Sequence, residues 1–427
     1  MVSVEYLKNK KVLIFGIGIS GLATVKKLKS QVKNLSAWDD NATSRNQLKK
    51  NFKISIDNNF FSNSYDFIVM SPGIDIYKHA HKSYFARNFH KIITDIDIFV
   101  SSIDLDQNKI IAITGTNGKS TFCKLLHHII KKNNNAYLLG NYGKPVLGHN
   151  QKSINNFYIL ELSSYQIEYS KFLKSHACAV LNITPDHLQR HKSLKNYIEV
   201  KLKIFNSLLP RGRGFVNKDF LYINKINKKN KVKKVSPLKN QSIANQFLSK
   251  KNYLPSLSIV YSILRFLKFS NKEIIGSLSS FKPLPHRQEL VRKIKSISFI
   301  NDSKATNFDS ANFSLEFYEN IYWIAGGLVK KNDRPHFSQG IKKRIIKTYI
   351  IGKNISLFKS ILGNKLSSTI CKTLNTALVQ AYRDAKNAKL KNSTILLSPA
   401  AASFDQYKNF EHRGNEFKKL VKKIENV

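Results

Sequence analysis

Carboxylates are scarce in this chain. Its 427 residues carry 27 Asp and Glu against 71 Lys and Arg, a formal net charge of +44. That balance excludes an acidic solvating tail and raises the question of a polyanionic partner. The lysines, however, are spread over every segment alongside much Asn and Ile, the trio an AT-rich coding sequence favours. No basic arm, zinc finger or aromatic RNA-binding motif accompanies them, so no specific nucleic-acid partner is expected. Cysteine is nearly absent as well. Cys123, Cys178 and Cys371 stand far apart, which excludes a disulfide framework and a cysteine metal site and leaves three buried thiols. No apolar run approaches the ~18–20 residues of a membrane span, and no unit of ~20–50 residues repeats. The N-terminus enters a strand-like run, Val12–Phe15, without the layout of a signal peptide, so a cytoplasmic protein with no membrane contact is expected.

What is present is apolar material, 42% of the residues, in a chain too long for one core. Strand-like and helix-like stretches alternate: 12–15, 21–29, 35–38 and 67–70 first; then 110–114, 157–162 and 177–183, ending in a helical run at 254–267; then 298–300, 321–325, 348–352 and 394–398. A polar, charged stretch at 94–108 separates the first group from the second, and the two prolines of Phe281-Lys282-Pro283-Leu284-Pro285 separate the second from the third. The Lys- and Asn-rich 217–239 reads as exposed connections and short strands. The expectation is α/β throughout, in three domains spanning 1–95, 96–283 and 284–427, with mostly parallel sheets. In such sheets ligands gather at the carboxyl ends of strands.

The most informative segment is Ile110-Ile111-Ala112-Ile113-Thr114-Gly115-Thr116-Asn117-Gly118-Lys119-Ser120-Thr121. An apolar strand runs into a Gly-containing turn that opens the helix starting Phe122-Cys123-Lys124. Backbone amides of Gly115, Thr116, Asn117 and Gly118 can curl around phosphate oxygens. Lys119 can reach the outer phosphates, and the hydroxyls of Ser120 and Thr121 stand at the helix start, where Ser120 can ligate Mg²⁺. Ile113 occupies the place of the usual first glycine, so the loop is a short variant. It calls for a nucleoside triphosphate.

A second glycine loop, Gly16-Ile17-Gly18-Ile19-Ser20-Gly21, follows the first strand and is followed by Asp39 and Asp40. Alone it is a Rossmann-type dinucleotide fingerprint, and a dehydrogenase using NAD is the direct rival reading. Physically it offers amides for a pyrophosphate and a carboxylate for a ribose or base, which a uridine diphosphate needs equally. Ser71-Pro72-Gly73 is a second turn facing the same crevice. In the middle segment, Asn141, Glu161 and His187 each follow a strand and should share an edge with Lys119 and Ser120. Glu161 suits Mg²⁺ as a hard oxygen ligand, and His187 suits a second metal or the acceptor.

These runs, Thr114-Gly-Thr-Asn-Gly-Lys-Ser-Thr121, Glu161-Leu-Ser-Ser-Tyr-Gln166 and Asn182-x-Thr-x-Asp-His-Leu188, resemble the ATP-dependent Mur ligases of peptidoglycan synthesis. Asn301-Asp-Ser-Lys-Ala-Thr-Asn307 and Ser398-Pro-Ala-Ala-Ala-Ser-Phe-Asp-Gln-Tyr-Lys-Asn-Phe-Glu-His-Arg-Gly414 favour the branch that joins D-glutamate to UDP-N-acetylmuramoyl-L-alanine. Another Mur ligase or a folylpolyglutamate synthase would lack the last run. The resemblance implies Rossmann-like first and third domains around a P-loop-type ATPase domain, and a cytoplasmic monomer using ATP and two Mg²⁺ ions. It implies an acyl phosphate made from the substrate carboxylate and broken by the D-glutamate amine. It further implies that Lys119, Glu161, His187 and Lys201 are catalytic, with Ser120, Glu161, His187 and a carbamylated Lys201 around the metals. Ile19, Ser20, Asp39, Asp40, Asn41 and Gly73 would bind the uridine diphosphate, and Asn141 and His187 the muramoyl-alanine. Asn252, Arg287 and Asp302 would join the phosphate loop in holding ATP. Lys304, Thr306, Lys330 (with Lys331 as its alternative), Ser403 and Phe410 would grip D-glutamate. Two departures stand out: Gln189 where the family usually has Asp, and Ser249–Pro255, which keeps only Asn252 of an adenine-contact element.

Overall fold

The computed structural model describes residues 4–149, 154–227, 229–238, 253–329, 337–363 and 366–424. They fall into two compact units, Met1–Phe281 and Lys282–Val427.

The first unit contains two sheets. One consists of β1 (Lys11–Phe15), β2 (Asn34–Trp38), β3 (Ser55–Ile56), β4 (Phe67–Met70) and β5 (Ile92–Ile93), in the order β3-β2-β1-β4-β5 and parallel throughout. The other consists of β6 (Lys109–Thr114), β7 (Ala136–Gly140), β8 (Phe157–Glu161), β9 (Ser175–Val180), β10 (Leu208–Asn217) and β11 (Val232–Val235). Its order is β11-β10-β9-β6-β8-β7, again all parallel. The near-continuous apolar runs of β1 and β6 follow from this arrangement, because a parallel strand covered on both faces has no side for water. Both strands are buried along almost their whole length.

The segment read from sequence as a polar separator is in fact a buried helix, Asp95–Ser101. Ile96, Ile98, Phe99 and Val100 join one continuous core with Val12 and Ile14 of β1 and Ile110 and Ala112 of β6. Its charges misled because they are internal. Thr94 and Asp97 form a reciprocal capping box, with Asp97 Oδ2 accepting the Thr94 amide at 2.8 Å. Asp97 Oδ1 accepts from the Ser170 hydroxyl at 2.6 Å and from the amides of Lys171 and Phe172 at 2.9 and 2.7 Å. One carboxylate thus ties the entry helix to the turn before β9. A second departure is β10, which continues through Pro210, Gly212 and Gly214. Its register with β9 shifts between Leu208 and Arg213, so the proline sits in the irregular stretch where a ladder amide is not required.

The second unit is a sheet of β12 (Glu289–Ile294), β13 (Ile297–Asn301), β14 (Ile321–Gly326), β15 (Ile345–Ile351), β16 (Ser368–Lys372) and β17 (Ser393–Leu397), ordered β12-β13-β17-β14-β15-β16. Only β12 runs antiparallel to its neighbour. Separate cores cover its two faces, one around Tyr322, Tyr349 and Phe417 and the other around Trp323, Phe308 and Phe358. Three sheets with helices between the strands make the fold α/β throughout. Among the described residues no helix is long and apolar enough to cross a membrane.

Asp97→Ala removes the shared acceptor of the Lys171, Phe172 and Thr94 amides and of the Ser170 hydroxyl. A loss of about 3 kcal/mol in urea unfolding is expected; a change below about 0.5 kcal/mol would mean the carboxylate is incidental to the junction.

Candidate active site

At the carboxyl end of β6 the chain turns through Gly115–Gly118 into the helix Lys119–Ile130. Gly118 caps that helix with φ +81°, a conformation a side chain would strain. The turn is held from outside. Asn182, just past β9, accepts the amides of Thr116 and Asn117 on its Oδ1 at 3.1 and 2.8 Å and returns a bond from Nδ2 to the Asn117 carbonyl at 3.0 Å. Thr116 Oγ1 bridges Thr184, meeting its carbonyl at 3.1 Å and its amide at 3.0 Å, and lies 3.1 Å from the Tyr197 hydroxyl. Lys119 Nζ donates to the carbonyls of Gly115 and Thr116 at 2.8 and 3.0 Å.

Lys201 lies directly behind. It is buried on the helix Leu194–Leu202, donating to Gly115 O at 2.8 Å and Thr114 Oγ1 at 3.2 Å, with its Nζ 4.9 Å from the Tyr197 ring centre. Burial drives its amine well below the usual lysine range, and the charge of Lys119 pushes the same way, against Asp186 and Glu161. Glu161 ends β8 and is buried. Its Oε1 accepts from Asn141 Nδ2 at 2.9 Å, while its Oε2 is buried with no hydrogen-bond partner. An orphaned carboxylate oxygen in the same strand-end region as the Ser120 hydroxyl is a hard donor set fit for a divalent cation. His187 has φ +54°. Its Nδ1 lies 2.9 Å from the Tyr165 hydroxyl and its Nε2 lies 3.3 Å from Asp186 Oδ2, so both ring nitrogens face protein partners. Among the described residues no three His, Cys, Asp or Glu side chains form a metal cluster.

In the first sheet, Gly16 turns the chain at φ +88° after β1. Asp39 accepts the amides of Ile17 and Asn41 at 2.5 and 2.8 Å, one on each oxygen, so it fixes the loop. Asp40 accepts from Trp38 Nε1 and faces His79 Nε2 at 3.1 Å. Asn41 caps the helix Ala42–Phe52 through the Thr43 amide. Ile19 is 80% exposed at the start of the helix Ile19–Leu28 that follows β1, Ser20 is that helix's second residue, and Gly73 lies in the turn after β4. Ser71 donates to Gly16 O at 2.6 Å, joining the two glycine turns that were expected to share a crevice.

In the second unit Asp302 is buried at the end of β13. It accepts from the hydroxyls of Ser314 and Ser398 at 2.5 and 3.1 Å and from the Gln288 amide at 3.2 Å; burial pushes its carboxyl up to about 6. With both oxygens occupied it orders the loop around half-buried Arg287. Asn301 Nδ2 lies 2.9 Å from His286 Nδ1 and donates to Gly414 O at 3.1 Å. Lys304 Nζ stands 4.1 Å above the Phe410 ring, Thr306 is half-buried on the following turn, and Ser403 is buried where its carbonyl starts the turn to Tyr407. Asn252 and Lys330 lie outside the described residues.

The runs quoted from the sequence include Asn182 and Arg413 without giving either a role, and Tyr197 stands outside them. Buried Arg413 donates to Ser303 Oγ at 3.0 Å, to the Ser303 carbonyl at 2.9 Å and to the Ala401 carbonyl at 3.1 Å, binding the two strand-end loops together. For Asn182 a signal existed, since it directly follows a strand at the same sheet edge.

Residues 113–274 match the profile of the Mur ligase middle domain. Over 97% of both chains, the sequence is 34% identical to the UDP-N-acetylmuramoylalanine–D-glutamate ligase of Rickettsia bellii (strain RML369-C). It is 35% identical to that of Rickettsia prowazekii (strain Madrid E), over 97% of this chain and 98% of the other. Among solved structures, a crystal structure of MurF from Acinetobacter baumannii covers 99% of this chain and 93% of its own, with TM-score 0.59 at 12% identity. MurF ligase from Thermotoga maritima in complex with ADP covers 99% and 98%, with TM-score 0.57 at 13% identity. At such identities the structures speak for the fold alone.

Asn182→Ala removes the clamp on the Thr116–Asn117 turn. Calorimetric titration with a non-hydrolysable ATP analogue is expected to show about tenfold weaker binding, in line with the loss of one or two net hydrogen bonds. Unchanged affinity would mean the turn holds its own shape.

Proposed function

The chain belongs to the Mur ligase family, in its UDP-N-acetylmuramoylalanine–D-glutamate ligase branch, and on that premise we propose that it joins D-glutamate to UDP-N-acetylmuramoyl-L-alanine at the expense of ATP. The reaction serves peptidoglycan precursor synthesis, and we assign it to the cytoplasm. The observation in this chain that carries the reading is the meeting of Lys119 and Lys201 at the carbonyl of Gly115, with the half-satisfied carboxylate of Glu161 one strand away.

The chemistry asks for two displacements. A carboxylate oxygen of the substrate's alanine attacks the γ-phosphorus of ATP, and ADP leaves with the bridging electron pair. The D-glutamate nitrogen, as the neutral amine, then attacks the acyl carbon; phosphate leaves and the nitrogen sheds its second proton. Both steps bring anions together, so the protein's task is positioning and charge neutralisation. Lys119 supplies a fixed cation for the phosphates, and the Asn182 clamp keeps the turn shaped to receive them. Mg²⁺, when bound, neutralises phosphate charge and polarises the phosphoryl group; Ser120 and Glu161 are the residues that would hold it.

The three segments 1–95, 96–283 and 284–427 divide the work in this reading. Ile19, Ser20, Asn41 and Gly73 contact the uridine diphosphate, with Asp39 ordering their loop and Asp40 at its rim. Asn141 and His187 orient the muramoyl-alanine. Arg287, shaped by Asp302, and Asn252 complete the ATP site. Lys304, Thr306, Lys330, Ser403 and Phe410 hold D-glutamate, whose two carboxylates suit cations and hydroxyls. Lys201 is the candidate for carbamylation. The neutral amine adds to CO₂ and releases a proton, which turns a buried near-cation into an oxygen ligand for a second ion. A depressed amine basicity is the condition that step requires.

Phosphate release from ATP in the presence of UDP-N-acetylmuramoyl-L-alanine should depend on D-glutamate and be near background with L-glutamate or meso-diaminopimelate. Equal release with all three would overturn the assignment. Lys201→Ala should lose about a thousandfold or more in kcat, a loss typical of removing an electrostatic support of the transition state. A short carboxylic acid should partly restore it, and ¹³C-bicarbonate should give a carbamate NMR signal in the wild type alone. Full activity of the variant would remove Lys201 from the mechanism.

A further inference from the structure

A buried guanidinium joins the first two sheets at a point the catalytic reading does not use. Arg190 lies on the short helix Leu188–His191, just beyond His187, and is 8% exposed. Its Nε and Nη2 both reach Glu168 Oε2, at 3.2 and 3.1 Å, and Nη2 also donates to the Tyr169 hydroxyl. Nη1 donates to the Ile74 carbonyl at 2.8 Å and lies 3.9 Å from Asp75 Oδ1. The guanidinium carbon sits 5.1 Å from the ring centre of Tyr165 and 5.2 Å from that of Tyr169. The hydroxyl of Tyr165 in turn meets His187 Nδ1.

One side chain therefore grips the turn that follows Gly73 on one side and packs on the aromatic partner of His187 on the other. The seam is reinforced beside it: Tyr169 donates to the Ile74 carbonyl at 2.9 Å, and Lys78 donates to the Gln189 carbonyl at 3.0 Å. A buried ion pair is a poor way to gain stability, since apolar residues of similar volume serve as well or better. What an arginine adds is geometry: a planar fork with donors in fixed directions, Nε and Nη2 here aimed at the helix Ser164–Tyr169 and Nη1 at the Ile74 carbonyl. Lysine could satisfy the charge of Glu168 but could not span these partners.

We infer that Arg190 is a positioning residue that sets the spacing between the nucleotide-sugar turn at Gly73–Asp75 and His187, and so aligns the substrate carboxylate with the triphosphate. The inference rests on the ligase reading above. Its test compares R190K, which keeps the charge and loses the fork, with Y169F, a milder change that keeps the ion pair. The kcat/KM for UDP-N-acetylmuramoyl-L-alanine should fall about thirtyfold in R190K and about fivefold in Y169F, while calorimetric affinity for a non-hydrolysable ATP analogue stays within about twofold. That split supports positioning. Parallel losses in both ligands, or no loss in either variant, overturn it, and if R190K does not fold, Y169F alone decides by the same criterion. Wild-type ligation measured alongside separates the two claims: its absence overturns the ligase reading itself, whereas an active wild type with unperturbed variants overturns only the role of Arg190.

Discussion

Two lysine amines donate to one carbonyl oxygen. Lys119 and Lys201 both stand 2.8 Å from Gly115 O, approaching from the front and the back of the phosphate turn. Two ammonium groups that close repel strongly in a partly dry site, and the aligned partners in reach of Lys201 are a hydroxyl and a carbonyl, neither carrying charge. The pair can be stable only if one amine gives up its proton or an anion arrives between them. Burial decides which amine yields: Lys201, the deeper of the two, is the one driven toward neutrality. That single constraint leaves Lys119 at the front of the turn and an amine driven toward neutrality behind it.

Such a centre is useful only if its surroundings do not relax around it. Asn182 and Thr116 pin the turn to the end of β9, so the Gly115 carbonyl cannot swing away from either lysine. Asp97 anchors the helix Asp95–Ser101 to the turn before β9, and Asp39 locks the first glycine loop by accepting two of its neighbouring amides. Each of these is a polar side chain spent on backbone groups. The result is a set of loops held by fixed polar contacts, which is the arrangement preorganised electrostatics requires.

The sequence made the phosphate turn, the first glycine loop and the strand ends carrying Glu161 and His187 legible, because all are local patterns: an apolar run, a glycine, then a helix start. The partners of the clamp residues were not legible for the opposite reason. Asn182 acts on a turn 66 positions earlier and Arg190 on a carbonyl 116 positions earlier, and no periodicity records such partners. Charge misled in the same way at Asp95 and Asp97. A carboxylate reads as solvent-facing until the structure shows hydroxyls and amides turned toward it. Asp302 likewise accepts from the hydroxyls of Ser314 and Ser398 and from the Gln288 amide.

In the second unit the network of Asp302, Asn301, His286 and Arg413 is satisfied internally, each group with partners at hydrogen-bond distance. A network of that kind is rigid, and it holds Lys304 over the Phe410 ring without reserving any capacity for itself. In the first unit, Glu161 keeps one oxygen buried and unpartnered, the only carboxylate oxygen so placed among the described residues. Leaving a buried carboxylate half-satisfied costs about 1–3 kcal/mol or more, and a fold that needed Glu161 only for stability would gain by replacing it. Its retention at the end of β8, beside a lysine driven toward neutrality, makes sense when the missing partner is a cation that arrives with the substrate.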